Sequence, residues 1–413
     1  MHFLLSYIYE LRHQKLRMFL TVMAVAWGMT NVSLMLSVGE GLYRMMTTGM
    51  FGMGEGFVVA WPSQSTMTYR GIGLGRPVRV TEQDIREAAN LPRMKAISAE
   101  YFANVQLRYR ETNTSRQIRG VYPVYGEMRN LYPEPGGRFL NRLDEERRRR
   151  VIFLGEEVRD DLFGEGVNAV GETVWMNGVP FTVIGVMRHK LQYSMYMGSD
   201  TSNCFIPAST LRTMFNRTYV DIPILGPESA EVSQEVLADF RRLIANRYGF
   251  NPDDEGLFSD WDTYESADQT RKLFRGIEIF FGIMGGLTLF IAGIGLANIM
   301  YVTVRERTRE IGIKMAVGAH PALIVSQFLV EAILTVCIGG ALGIAMALGL
   351  IEVFKLIPLP ATVVGELGDL EPVFSSMIAL ISVSILNIIG LFAGIFPARS
   401  AALVDPVEAL RYE

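Results

Sequence analysis

Residues Ile279–Val304 read IFFGIMGGLTLFIAGIGLANIMYVTV, with no charged side chain along the whole stretch. A bilayer core of about 30 Å is crossed by an α-helix of about 20 residues, so this run has length to spare. Three other windows repeat the pattern. Met18–Val38 and Val373–Ala398 are uncharged, and Ala322–Ile351 is interrupted only by Glu331. A soluble core can hide one such helix but not four, so the chain reads as an α-helical membrane protein. The spans are placed at 18–38, 273–304, 322–356 and 373–398.

The remainder belongs in water. Across 413 residues the chain is 49% hydrophobic, with 39 basic and 43 acidic side chains and a net charge of −4. Its mean hydropathy of +0.22 is too high for an ordinary soluble enzyme and too low for a chain lying wholly in lipid. Neither sign of charge dominates, which argues against nucleic-acid binding. Met18–Val38 is longer than the apolar core of a signal peptide and is followed by no small-x-small cleavage site, so it reads as a retained anchor.

Short loops orient the spans. The leader carries Arg12, Lys15 and Arg17, the 305–321 segment carries Arg305, Arg307, Arg309 and Lys314, and the 399–413 tail carries Arg399 and Arg411, whereas 357–372 carries no basic residue. Both termini and the 305–321 segment are therefore expected in the cytoplasm of a cell with this protein in its inner membrane. Residues 39–272 are expected outside. Residues 1–17 place Phe3, Leu4, Tyr7, Ile8 and Leu11 at helical spacing, as in an amphipathic helix on the membrane face.

Within 39–272, strand and helix signals alternate. Phe57–Trp61, Ile97–Arg108, Cys204–Pro207 and Tyr219–Leu225 read as strands, and Ser209–Phe215 and Glu228–Tyr248 as helices. Thr81-Glu82-Gln83-Asp84 opens a helix in the manner of a capping box. Asn177-Gly178 between Thr173–Met176 and Val179–Met187 suits a type I′ turn and predicts a hairpin. The expected fold is an α+β extracytoplasmic domain of two lobes, the second inserted at about 116–200. Arg147–Arg150, preceded by Asp144, Glu145 and Glu146, reads as a self-neutralised loop. No catalytic or metal-binding motif occurs, and His189 has no second histidine nearby. Cys204 and Cys337 fall in different compartments and are not expected to pair.

Three features mark the membrane part. Gly282/Gly286, Gly339/Gly343 and Gly390/Gly394 are G-x-x-x-G pairs, which let helix backbones approach closely, within one chain or between two copies. Glu331 is a membrane carboxylate, expected to make a structural hydrogen bond or to serve as a proton or cation site. The third is Arg305–Pro321, RERTREIGIKMAVGAHP. Its Glu310 and Lys314 stand at i, i+4 and its Ile311, Ile313 and Met315 offer apolar area, while Gly318 suits a left-handed cap and Pro321 a helix start. This compact helix-turn design suits docking of a cytoplasmic partner.

The stretches RERTREIGIKMAVGA, PARSAALVDPVEALRYE, LRMFLTVMAVAWGM…SVGEGL and VWMNGVPFTVIGVM together resemble the MacB/FtsX-like ABC-transporter permeases. The resemblance implies a non-catalytic permease that associates with a second copy or a homologous permease and with an ABC ATP-binding subunit, which would bind ATP and Mg. It implies ATPase coupling through Arg305, Glu306, Arg309, Glu310, Ile311, Gly312, Ile313, Lys314, Met315 and Gly318, and a two-part periplasmic module moved by mechanotransmission. Efflux of a periplasmic substrate is the first expectation, with a periplasmic adaptor as a further partner and membrane lipid around the spans. Lipoprotein release and regulation of a cell-wall hydrolase are the alternatives. The 413 residues contain no G-x-x-x-x-G-K-[ST] phosphate-binding loop, so ATP hydrolysis is expected in a separate subunit.

Overall fold

The computed structural model describes residues 15–54, 56–71, 73–356 and 372–403. The leader through residue 14, the loop 357–371 and the tail beyond Leu403 lie outside the described residues. In chain order come α1 (Lys15–Phe51), β1 (Val58–Pro62), β2 (Val80–Thr81), α2 (Glu82–Ala88), β3 (Met94–Tyr109) and β4 (Thr112–Val121). Next are α3 (Tyr125–Met128), α4 (Arg142–Glu146), β5 (Val151–Leu154), α5 (Glu156–Phe163), β6 (Thr173–Met176), β7 (Val179–Val186) and β8 (Cys204–Pro207). Then follow α6 (Ala208–Phe215), β9 (Tyr219–Val220), β10 (Ile222–Pro227), α7 (Ser233–Tyr248) and β11 (Phe258–Asp262). The last helices are α8 (Thr263–Glu306), α9 (Thr308–Ala316), α10 (Pro321–Lys355) and α11 (Ser376–Ala402). Two compact units result, one essentially 45–271 and the other the apolar helices.

In the helical unit, α1, α8, α10 and α11 are each long and apolar enough to cross a membrane. Glycines set their packing. A Cβ on Gly339 would lie 2.8 Å from Val25 Cβ, and one on Gly343 would lie 2.5 Å from Ala26 O. Thr30 Oγ1 donates to Gly343 O at 3.0 Å across the same contact. Gly390 and Gly394 likewise seat α11 on Val336 and Ala332 of α10. Gly282 and Gly286 behave differently: both open onto empty space. The glycines that pack α8 are Gly285, against Val32, and Gly293, against Ile389. They share a face with Leu289, Leu296, Met300 and Val304, all buried, as the 3.6-residue period dictates. Ile279, Ile283, Phe290 and Ile294 on the rest of α8 are more than half exposed.

In the other unit, nine strands run in the order β11-β1-β10-β3-β4-β8-β5-β7-β6. The sixteen-residue β3 also pairs with β6 through Leu107↔Met176, so six strands from β3 to β8 form a closed hydrogen-bonded circuit. This corrects the expected division. The stretch 116–200 does not stand apart; β4 straddles its start, and β5, β6 and β7 belong to the same sheet as the base. The Asn177-Gly178 hairpin forms as expected, with Met176 paired to Val179 and both turn residues at positive φ. Thr81 caps α2, donating its backbone N–H to Asp84 Oδ2 at 2.6 Å. The strand expected over Tyr219–Leu225 is split into β9 and β10, and α7 begins at Ser233 rather than Glu228. Cys204 is fully buried in β8, and that burial pushes its thiol up to about 12. It is therefore masked from thiol reagents and cannot report which side of the membrane it occupies.

Between β7 and β8 the chain crosses residues 188–199 without a helix or strand. Charged side chains hold it there. Arg119, in β4, donates through Nη2 to the carbonyls of Tyr196 (3.1 Å) and Met197 (3.0 Å), and through Nη1 to Glu100 Oε1 (3.1 Å). Arg129 Nη2 reaches both oxygens of Asp200, at 2.7 and 3.0 Å, and Lys190 Nζ adds a third contact at 2.9 Å. Arg119, Glu100, Arg129 and Asp200 are fully buried. Burial alone would raise the Asp200 pKa, but the Arg129, Lys190 and Arg119 cations outweigh it and hold the carboxyl well below the usual range. The stability this contributes is present above the unfolded carboxylate pKa of about 3.9 and is lost only as pH falls further, toward the depressed folded value.

Asp200→Asn removes the nearest counter-charge of buried Arg129 and of Lys190 and is expected to cost about 3–5 kcal/mol. Tyr196 stacks edge-on against Trp61 and Trp261, at 5.7 and 6.3 Å between ring centroids, so tryptophan fluorescence during denaturant unfolding reports the loss. An unchanged midpoint would show that the network adds nothing.

Candidate coupling site

The charged segment after α8 begins with a break in the helix. Arg307 leaves helical geometry, at φ −102° and ψ 10°, and its N–H is shared between Thr303 O and Val304 O, as at a tightening helix end. The chain restarts as α9, with Thr308 Oγ1 donating to Arg305 O at 2.9 Å. Gly318, at φ +96°, turns the chain out of α9, and Ala319 N donates back to Lys314 O at 3.0 Å. His320 then caps α10, its Nδ1 accepting from Ala322 N at 3.3 Å with Pro321 in the first turn. The left-handed glycine and the proline start both match the sequence reading.

The faces of α9 differ from that reading. Ile311 is only 3% exposed and belongs to the same buried cluster as Val304, Ile324 and Phe328; Met315 packs partly against that cluster. Gly312 is buried too. These three positions hold α9 to its own bundle and offer little area to a partner. The exposed apolar area lies instead at Ile313, 47% exposed, and at Val317, 84% exposed. Val317 was not singled out from sequence, because one valine beyond the periodic run carries no pattern. Arg305, Glu306, Arg309, Glu310 and Lys314 are exposed around them. The expected Glu310–Lys314 support is replaced by Lys314 Nζ donating to Gln327 Oε1 of α10, at 3.3 Å.

Two ion pairs tie the break to neighbouring helices. Arg17 Nη1 lies 2.6 Å from Glu306 Oε1, with both side chains substantially exposed, a setting in which a pair contributes little. Arg307 Nη1 lies 3.7 Å from Glu331 Oε2, with side-chain exposures of 20% and 10%. This second pair is the less solvent-screened of the two, and its carboxylate is the more desolvated partner. Glu331 therefore faces the residue at which α8 ends and α9 starts. Nothing local in sequence pairs residues 307 and 331; only the return of α10 alongside α8 does. Among the described residues no cluster of His, Cys, Asp and Glu could hold a metal ion, and His189 Nδ1 pairs with Glu156 Oε2 at 2.7 Å.

Residues 18–243 match the model of the MacB-like periplasmic core domain, and residues 282–406 match that of the FtsX-like permease C-terminal region. The macrolide export ATP-binding/permease protein MacB of Azoarcus sp. (strain BH72) is 31% identical over 407 residues, covering 98% of this chain and 58% of that protein. The uncharacterized ABC transporter permease YknZ of Bacillus subtilis (strain 168) is 27% identical over 399 residues, 97% of this chain and 96% of its own length. The chain thus spans less than two thirds of its ATP-binding/permease relatives, but nearly all of YknZ. The solved extracellular domain of a YknZ transporter from Gram-positive bacteria is 21% identical, with a TM-score of 0.42 over 50% of this chain and 100% of that one. Two family models matched in order, the first over more than half of the sequence, place this chain in the MacB/FtsX-like family of ABC-transporter permeases.

Proposed function

We propose that the chain is the transmembrane subunit of an exporter in which a separate ATP-binding subunit, holding ATP and Mg, drives movement of the outer domain. The observation that carries this reading is α9: a short helix seated by Ile311, with Ile313 and Val317 and a rim of charges left open. That is the form of a docking surface, apolar at its centre and charged at its edge. Both termini and α9 face the cytoplasm in this scheme, and residues 45–271 face the periplasm. Helices α1 and α8 have 37 and 44 residues, about 55 and 66 Å at 1.5 Å per residue. Both exceed what a span requires, and the excess suits transmission of a displacement along the helix axis. Export of a periplasmic substrate, with a periplasmic adaptor, is favoured by relatives named for macrolide and pyoverdine export. The exposed face of α8 around Gly282 and Gly286 serves a second copy or a homologous permease, and the remaining apolar faces meet membrane lipid.

An apolar side chain buried on docking contributes about 1.5–3 kcal/mol. Ile313→Asp and Val317→Asp are therefore expected to reduce co-purification of the co-expressed ATP-binding subunit by tenfold or more. Glu310→Gln should cost far less, and Ile311→Asp should lower the unfolding temperature of the permease itself. Normal co-purification with both aspartate variants, together with failure of Glu310→Gln, would make the docking electrostatic.

Leucine at both Gly282 and Gly286 is expected to reduce cross-linking between copies without lowering the unfolding temperature, because a side chain at either position meets nothing among the described residues. Leucine at Gly343 should do the reverse, destabilising the monomer by about 1–3 kcal/mol through overpacking. Cross-linking unchanged by the double substitution would remove this face from the dimer.

A further inference from the structure

In the outer domain, α2, α4, α6 and the segment Tyr122–Val124 line an open cleft of about 530 Å³, within the size range of small-molecule sites. Its charges are unequal: four arginines, Arg86, Arg142, Arg148 and Arg212, meet three glutamates, Glu82, Glu145 and Glu146. Glu82 is already satisfied, accepting from Tyr122 Oη at 2.6 Å and Tyr101 Oη at 3.1 Å and pairing with Arg212 at 2.6 Å. Arg86 holds it only loosely, at 3.5 Å, and is 73% exposed. Arg142 is paired with Glu146 at 2.5 Å. Arg148 has no side-chain partner among the described residues.

Glu145 stands out on this wall. Its Oε1 accepts from Ser209 N at 3.0 Å, while its Oε2 is buried with no hydrogen-bond partner among the described residues. That oxygen is an acceptor and offers an anion nothing; the donors left open on this wall are the guanidiniums of Arg148 and, in part, Arg86. We propose that the cleft is a binding site for a soluble organic anion with an apolar body, its carboxylate or sulfonate held by Arg148 and Arg86 and its body against Tyr122, Pro123 and Val124. Nothing in the permease reading requires this site.

Burial pushes the Glu145 carboxyl up to about 7, the Ser209 hydrogen bonds and Arg212 opposing that rise and Glu82 adding to it. The charged groups around it are Glu82 and Arg86 from α2, Arg212 from α6, and Arg142, Glu146 and Arg148 from its own segment. As pH falls through 7, Glu145 takes up a proton and one negative charge leaves the wall. The four guanidiniums are then less compensated, and an anion binds more tightly at pH 6 than at pH 8. Anion binding in turn draws the proton onto Glu145, by linkage.

The test is calorimetric titration of naphthalene-2-sulfonate into the purified full chain in an uncharged detergent. Expected are saturable one-site binding at pH 6 and severalfold weaker binding at pH 8. Arg148→Gln, at an exposed position whose loss leaves folding intact, should weaken binding roughly tenfold, the scale of one charge-assisted hydrogen bond, and Arg86→Gln should act in the same direction. Glu145→Gln should bind with the same affinity at both pH values. Absence of saturable binding at pH 6, undiminished binding in both arginine variants, or a pH dependence that survives Glu145→Gln would each overturn the assignment.

Discussion

The burial of Ile311 decides what the short helix α9 can present. A nine-residue helix is too short to be stable alone in water, so α9 exists because its inner face joins the cluster of Val304, Ile324 and Phe328. Once Ile311 is inward, helical geometry leaves Ile313 and Val317 outward and spreads Arg309, Glu310 and Lys314 around them. The Arg307–Glu331 pair fixes the pivot at which this helix leaves α8. A force applied to the outward face is thus delivered to a seated element rather than to a loose loop.

The outer domain solves a different problem. A sheet of nine strands would present two long edges, which are sites for unwanted pairing. Here β3 is long enough to pair with β10, β4 and β6, so six strands return on themselves and β11 lies at the open end of this sheet. Residues 188–199 form no strand, and the carbonyls of Tyr196, Met197 and Gly198 are met by the buried guanidinium of Arg119. Replacing regular structure by a fully buried charge network suits a segment that must hold one conformation.

Much of this was readable in the residues, and the failures have physical causes. Apolar runs of more than twenty residues disclose long apolar helices directly, and Asn177-Gly178 and Thr81–Asp84 are local signals that the tertiary fold had no reason to override. The β3–β4 turn was missed because Arg110-Glu111 does the work of a glycine, with Arg110 at φ +52°. Gly282 and Gly286 were paired by spacing alone, whereas the packed face of α8 runs one residue out of phase, through Gly285. Spacing says that two residues share a face; which way the face points depends on neighbours 250 or 100 residues away, here Val32 and Ile389. Ile311 misled for the same reason. The partly buried pair Arg307–Glu331 and the buried pair Arg129–Asp200 join residues far apart in sequence, and no local pattern pairs them. Inward and outward apolar residues look alike until the bundle is assembled.

Nucleotide binding by the partner subunit is expected to move the outer domain by way of α9. Double electron–electron resonance tests it most directly, with one spin label per chain at exposed Glu165, in the assembly containing two permease copies and the ATP-binding subunit. The account predicts that ATP shifts the distance between the two labels and that Val317→Asp abolishes the shift while the protein remains folded. Identical distance distributions with and without ATP in the intact assembly would contradict it.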